Sequence, residues 1–185
     1  MTERNLPEVL EKVFRDNTTP DAVFAALLPA LGEVLKCDRV FLYLHHPETS
    51  FGQIPSETSF GQIPYCWRRS PEYPDMTEPE WKKDPESLPQ EDPLFAAALR
   101  AEPSIFVEDI ETASPTVLNK EYERKNFGHR ALIHAHLRQD NSLWGILQPC
   151  VFGEPRVWTD RDRFVIDRVV EKITPMAVTY VKKFN

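Results

Sequence analysis

The sequence contains no glycine-rich phosphate loop, no Gly-x-Ser-x-Gly elbow and no zinc-ligand spacing, and its paired acids fall in proline-rich stretches suited to solvent. A catalytic reading has no constellation to stand on, so the chain is expected not to be an enzyme. Its three cysteines, Cys37, Cys66 and Cys150, are an odd number without CxxC spacing. That removes a disulfide framework and fits a reducing cytoplasm. No stretch approaches the roughly 20 apolar residues of a membrane-crossing helix, because even Ala22–Leu35 is interrupted by Pro29 and Glu33. The opening residues, MTERNLPEVLEKVF, lack the basic patch and apolar run of a secretory leader. Excess positive charge is missing too. With 22 Lys and Arg against 29 Asp and Glu, the formal charge is -7, and neither nucleic acid nor an anionic membrane surface is an expected partner.

What is present suits one domain spanning residues 1–185, since 41% hydrophobic content in 185 residues can build a core without staples. Residues 1–18 hold a short amphipathic helix with Leu6, Val9, Leu10, Val13 and Phe14 on one face. Thr19-Pro20-Asp21 reads as the capped start of a second helix, whose stripe is Val23, Leu27, Ala30, Leu31, Val34 and Leu35. Arg39–His45 has the aromatic and aliphatic content of a buried strand. Asp92–Arg100 and Thr116–Phe127 read as helices and Ser104–Ile110 as a short strand. Ala131–Arg138 and Leu143–Phe152 form a hairpin turning at Asp140-Asn141. Thr159 with Asp162 opens the last helix in a variant capping box, and Pro175 is expected to bend or break its final turns. This order predicts an α/β (α+β) fold with helices packed on an antiparallel sheet.

Two segments interrupt the pattern. Residues 48–56 and 57–65 are a tandem repeat, ETSFGQIPS followed by ETSFGQIPY. Its Gly and Pro suggest a duplicated loop insertion over 46–64 rather than core strand. Residues 70–93 are proline-rich and acidic and read as a long surface excursion.

The run Leu143-Trp144-Gly145-Ile146-Leu147, followed by Pro155-Arg156-Val157-Trp158-Thr159 and a helix, resembles the end of GAF domains in phytochromes and cyanobacteriochromes. Cys37–Tyr43 resembles that family's entry into its first strand, and Val107-Glu108-Asp109-Ile110 resembles the approach to its chromophore helix. The resemblance implies an antiparallel sheet of five or six strands. Terminal helices on one face often pair two copies, and a ligand pocket lies on the other. It also implies a cyanobacterial or related phototrophic source and a role in signal transduction. Bilin-binding members carry a Cys-His pair before the strand that Ala131 begins, and counting back places Asn119 and Lys120 there. A second family histidine falls at Cys150. An amide side chain cannot form the thioether that a thiol forms with a bilin, so a covalent chromophore is not expected.

The residues then support a regulatory or scaffolding domain acting through protein contacts, with no cofactor, as a homodimer through its terminal helices. An alternative is a sensor that holds a tetrapyrrole or other planar ligand noncovalently. Trp67, Tyr122, Phe127 and His134 are the candidate pocket residues, with Tyr65 and His129 beside them, because aromatic rings can stack on a planar ligand. His134 and His136 share a strand face but have no third metal ligand in range. Arg68-Arg69 suits either an anionic group or the acids of the excursion. A methionine-sulfoxide reductase reading would need Cys66 and Cys150 within disulfide reach.

Overall fold

The computed structural model describes residues 5–47 and 59–184. Helices α1 (Glu8–Asp16) and α2 (Pro20–Leu35) lead into β1 (Arg39–His46). Next come β2 (Phe60–Arg68), β3 (Glu78–Lys83), α3 (Leu88–Glu91), α4 (Pro93–Leu99), β4 (Ile105–Val107) and α5 (Lys120–Asn126). The chain closes with β5 (Ala131–Gln139), β6 (Ser142–Val151) and α6 (Asp160–Lys182). The six strands form one sheet in the order β3-β2-β1-β6-β5-β4, and every neighbouring pair is antiparallel. This is the expected fold class.

Local chemistry sets many of the boundaries. The Thr19 hydroxyl accepts from the Ala22 amide at 3.3 Å and starts α2. Thr159 and Asp162 complete a reciprocal capping box, with the Asp162 amide 3.1 Å from the Thr159 hydroxyl and the Thr159 amide 2.9 Å from the Asp162 carboxylate. Asp140 and Asn141 take φ values of 54° and 58° in the β5–β6 turn, the left-handed region that Asp and Asn tolerate best among residues with side chains.

Strand alternation sorts the interior into two layers. Val40, Leu42 and Leu44 of β1 join Ala131, Ile133, Ala135 and Leu137 of β5 under α1, α2 and α6, where Leu27, Leu31, Ile166, Val169 and Ile173 are buried. On the opposite face Phe41, Ile63, Leu132 and Cys150 meet Leu94, Val107, Ile110 and Leu118.

Several expectations are corrected. The upstream repeat copy lies outside the described residues, but the downstream copy is no loop: Phe60–Tyr65 belongs to β2. Gly61 fits because it lies against the Tyr43 ring, and Ile63 and Pro64 stand where the β1 ladder is irregular, between the Leu42–Tyr65 and Leu44–Gln62 pairs. The 70–93 excursion contains edge strand β3 and helix α3, with Pro79 on an edge where proline is tolerated. Helix α6 continues through Pro175 to Lys182. Ala177, Val178 and Val181 beyond the proline are buried, and that packing outweighs one lost backbone hydrogen bond. Cys66 and Cys150 sit on strands flanking β1 on opposite sides. Two strand spacings, about 9.5 Å, exceed disulfide reach, and the reductase reading falls.

Candidate ligand-binding face

The face of the sheet away from α2 and α6 is covered by α4, the segment 107–118 and α5, and polar groups anchor α5 at its start. The Asn119 side chain accepts from the Tyr122 amide at 3.2 Å and donates to the Glu91 carbonyl at 3.1 Å. Lys120 lies 3.9 Å from the Glu111 carboxylate at the surface. One of these positions therefore caps a helix and the other makes an exposed ion pair. Cys150 is fully buried in the sheet.

The layer between α5 and the sheet is packed with rings. Phe127 lies parallel to Phe41, centroids 6.2 Å apart, and parallel to His129 at 5.3 Å, while Tyr122 meets Phe127 edge-on at 6.1 Å. The Arg39 guanidinium sits 5.3 Å from the Phe41 ring and 4.9 Å from the Phe152 ring. It donates to the carbonyls of Pro74 at 3.1 Å and Phe127 at 3.3 Å, and to Cys150 Sγ at 3.7 Å.

Arg39 also sets the state of its neighbours. A guanidinium only donates, so His129 Nδ1, 3.4 Å from Arg39, accepts. The imidazole proton then lies on Nε2, which donates to Glu123 Oε2 at 2.6 Å. A buried cation and a buried carboxyl are thus joined through a neutral imidazole. Burial pushes the Glu123 carboxyl up to about 8, against the lowering charge of Arg39. Asp92, the cap of α4 that accepts from the Phe95 amide at 3.2 Å, is pushed up to about 7 by burial and then by Glu123.

His134 and His136 form a second buried chain. His136 Nδ1 donates to the Glu102 carbonyl at 2.7 Å, leaving its Nε2 to accept from His134 Nδ1 at 2.7 Å. Burial pushes both rings below the usual histidine range, His134 further than His136. No group of three potential metal ligands occurs among the described residues.

The four expected pocket residues are not gathered. Tyr122 and Phe127 do meet, and Tyr122 also lines a cleft of about 270 Å³ with Asn119 and Lys125. His134 is engaged with His136. Trp67 lies on the opposite face, packed so closely on Gly32 that a Cβ there would stand 2.1 Å from its ring. Tyr65 shares that face, donating to Asp21 at 2.7 Å. The cause is parity: Trp67 pairs with Val40 of the helix-side layer, whereas Cys66 pairs with Phe41. Arg68 turns to Asp75 of the excursion at 3.7 Å, but Arg69 pairs with Glu33 of α2 at 3.1 Å.

Arg39, Glu123 and Phe152 escaped the sequence reading. One signal was available for Arg39, which shares its strand parity with Phe41. Nothing local pointed to Glu123, one of several charges on a short helix.

Comparison with known proteins agrees with this architecture. The GAF domain model matches residues 19–173. The phycoerythrobilin-bound GAF domain from a cyanobacterial phytochrome is similar over 96% of this chain and 97% of that one, with 16% identity and a TM-score of 0.67. The blue-light absorbing form of the Thermosynechococcus elongatus PixJ GAF-domain is similar over 92% of this chain and 94% of that one, at 20% identity and a TM-score of 0.54. The GAF domain from Acinetobacter phosphoenolpyruvate-protein phosphotransferase is similar over 93% and 92%, at 8% identity and a TM-score of 0.62. No curated protein matches the chain. Identities this low speak for the fold and not for a ligand. With the family match covering most of its length and the sheet to go with it, the chain belongs to the GAF domain family, and phytochrome and cyanobacteriochrome GAF domains are among its structural neighbours.

Proposed function

We propose that this GAF domain is a non-catalytic regulatory or scaffolding module that acts through protein contacts and carries no covalent tetrapyrrole. The observation that supports this reading is the packing beneath α5. Phe127 lies parallel to both Phe41 and His129, and Arg39 beside them places its donors on Phe127, Pro74 and His129. A planar ligand entering there would have to displace stacked rings and strip a buried guanidinium of its partners, which is costly. At the positions that the family resemblance assigns to the attachment Cys-His pair, Asn119 and Lys120 supply no thiol.

The second reading, a noncovalent tetrapyrrole sensor, is favoured by one observation: His134 is buried on the ligand-side face of a fold whose neighbours include bilin-bound domains. Co-expression with a bilin-synthesis pathway separates the two. Colourless protein with the mass of the bare chain is expected. A visible band lost on denaturation supports the noncovalent sensor, and a coloured adduct that survives denaturation overturns both.

The partner includes a second copy of this domain, joined through the terminal helices, in a cytoplasmic setting. Val9 of α1 is 49% exposed, and Phe164 and Met176 of α6 are only partly covered. Among the described residues no helix is long and apolar enough to cross a membrane. Light scattering is expected to report a dimer; a monomer throughout the micromolar range removes this part of the proposal.

A further inference from the structure

The contacts proposed above do not use the flank of α6 that faces edge strand β4, where a cleft of about 460 Å³ opens between helix and sheet. Asp167, Val170, Glu171 and Thr174, spaced three and four residues apart, bring one helical face to it. Phe106, which pairs with Ile133 of the helix-side layer, supplies the ring opposite. Further along β4 the edge is covered by segment 156–158: the Trp158 indole donates to the Val107 carbonyl at 3.0 Å and the Arg156 amide to the Glu108 carbonyl at 2.8 Å. The cleft lies at the other end of the strand, beside Ser104 and Phe106.

The α6 wall of this cleft is rich in acceptors. Pro175 has no N–H to give to the Glu171 carbonyl one turn earlier, so that oxygen is without its helical donor. The Thr174 hydroxyl spends its proton on the Val170 carbonyl at 2.6 Å and keeps its lone pairs. Burial pushes the Asp167 carboxyl up, against the charge of Arg163. Arg163 itself donates to the Trp158 carbonyl at 3.4 Å and lies 4.3 Å from the Phe106 ring. The Glu171 carboxylate, by contrast, is paired with Arg168 at 2.5 Å. Phe106, Val170 and Pro175 give the cleft an apolar floor.

We propose that this cleft docks a segment of a partner protein through a lysine, whose ammonium meets Asp167 while a main-chain N–H of the segment meets the Glu171 carbonyl. Residues 167 and 171 are one helical turn apart, about 6 Å along the axis, a distance that an extended lysine side chain spans from main chain to ammonium. Its aliphatic stem lies on the apolar floor, and the Thr174 oxygen offers a further acceptor beside the freed carbonyl. At the rim Arg138 has donors for the segment's own carbonyls. The formal charge of -7 draws a basic segment toward the domain. This inference rests on the reading of the domain as a module that acts through protein contacts, and it names the chemistry of one such partner.

Amide chemical shifts of the full chain, titrated with the peptide acetyl-Thr-Val-Lys-Val-Thr-amide, test this. The Phe106, Val170 and Thr174 amides are expected to shift and saturate. A norleucine analogue, which keeps the stem and loses the ammonium, is expected to bind about tenfold more weakly, and Asp167→Asn should abolish that preference. Pro175→Ala returns an amide to the Glu171 carbonyl. Its affinity is expected to fall about fivefold with no loss of Tm, because alanine favours the helix. The inference is overturned if no amide beside the cleft moves, if the lysine and norleucine peptides bind alike, if Asp167→Asn keeps the preference, or if Pro175→Ala binds as the parent does. It is also overturned if n-butylammonium alone saturates the same amides at the same concentration, since the cleft is then a site for a small cation. The protein-contact reading fails separately, in the scattering and co-expression experiments.

Discussion

Replacing Arg39 with methionine is expected to destabilise the domain by about 3–5 kcal/mol, the usual cost of leaving a buried charge or its partners uncompensated. For a domain of this size that corresponds to a Tm lower by roughly 6–20 °C. The side chain is wholly buried, and methionine fills much of its volume, so the loss is electrostatic more than steric. Without the guanidinium, the Phe127 and Pro74 carbonyls lose their donor. His129 loses the group that fixes its tautomer, and Glu123 loses the charge that favours its ionised form. Adding Glu123→Leu to Arg39→Met is expected to recover a substantial part, because the double variant no longer buries a polar carboxyl that has lost the nearby cation offsetting its desolvation. Chemical denaturation of the three variants reads this directly. Equal stability of Arg39→Met and the parent chain would show that Arg39 does not hold α5 to the sheet.

The second large effect is expected at Gly145, in the Leu-Trp-Gly run by which the family was recognised. A Cβ there would lie 2.7 Å from the backbone oxygen of Tyr43 and 3.4 Å from the Leu44 and Leu137 side chains. Backbone cannot rotate away as a side-chain tip can, and β1 and β6 are the two central strands of the sheet. Gly145→Ala is therefore expected to cost about 2–3 kcal/mol through forced separation of the β1–β6 ladder. Thermal unfolding should show a drop of roughly 4–12 °C, and faster exchange of the Tyr43 and Ile146 amides should localise it. An unchanged Tm would mean that the ladder absorbs the methyl group. The glycine in this run is thus accounted for by close approach of two backbones, whatever ligand the face above does or does not hold.

The unequal legibility of fold and site follows from the range of the forces involved. Thr19, the Thr159–Asp162 box and the Asp140-Asn141 turn act within one helical turn or one hairpin, and each was readable as written. The buried stripes of α2 and α6 were readable for the same reason, since periodicity belongs to the segment itself. Edge strand β3 was not. Its residues are mostly exposed and it exists by pairing with β2, so nothing apolar announces it.

By itself, then, the sequence determined every helix but α3, the β5–β6 hairpin and the family, because these depend on neighbours within a few residues or on residue identity. Only the tertiary structure decided which face Trp67 and Tyr65 occupy, that Phe60–Tyr65 of the downstream repeat copy is strand, and that α6 runs on through Pro175. It alone brought Arg39 of the first strand to His129 and Glu123 near α5. These outcomes rest on strand parity and on contacts between segments far apart in the chain, whose energies do not exist until the sheet has formed.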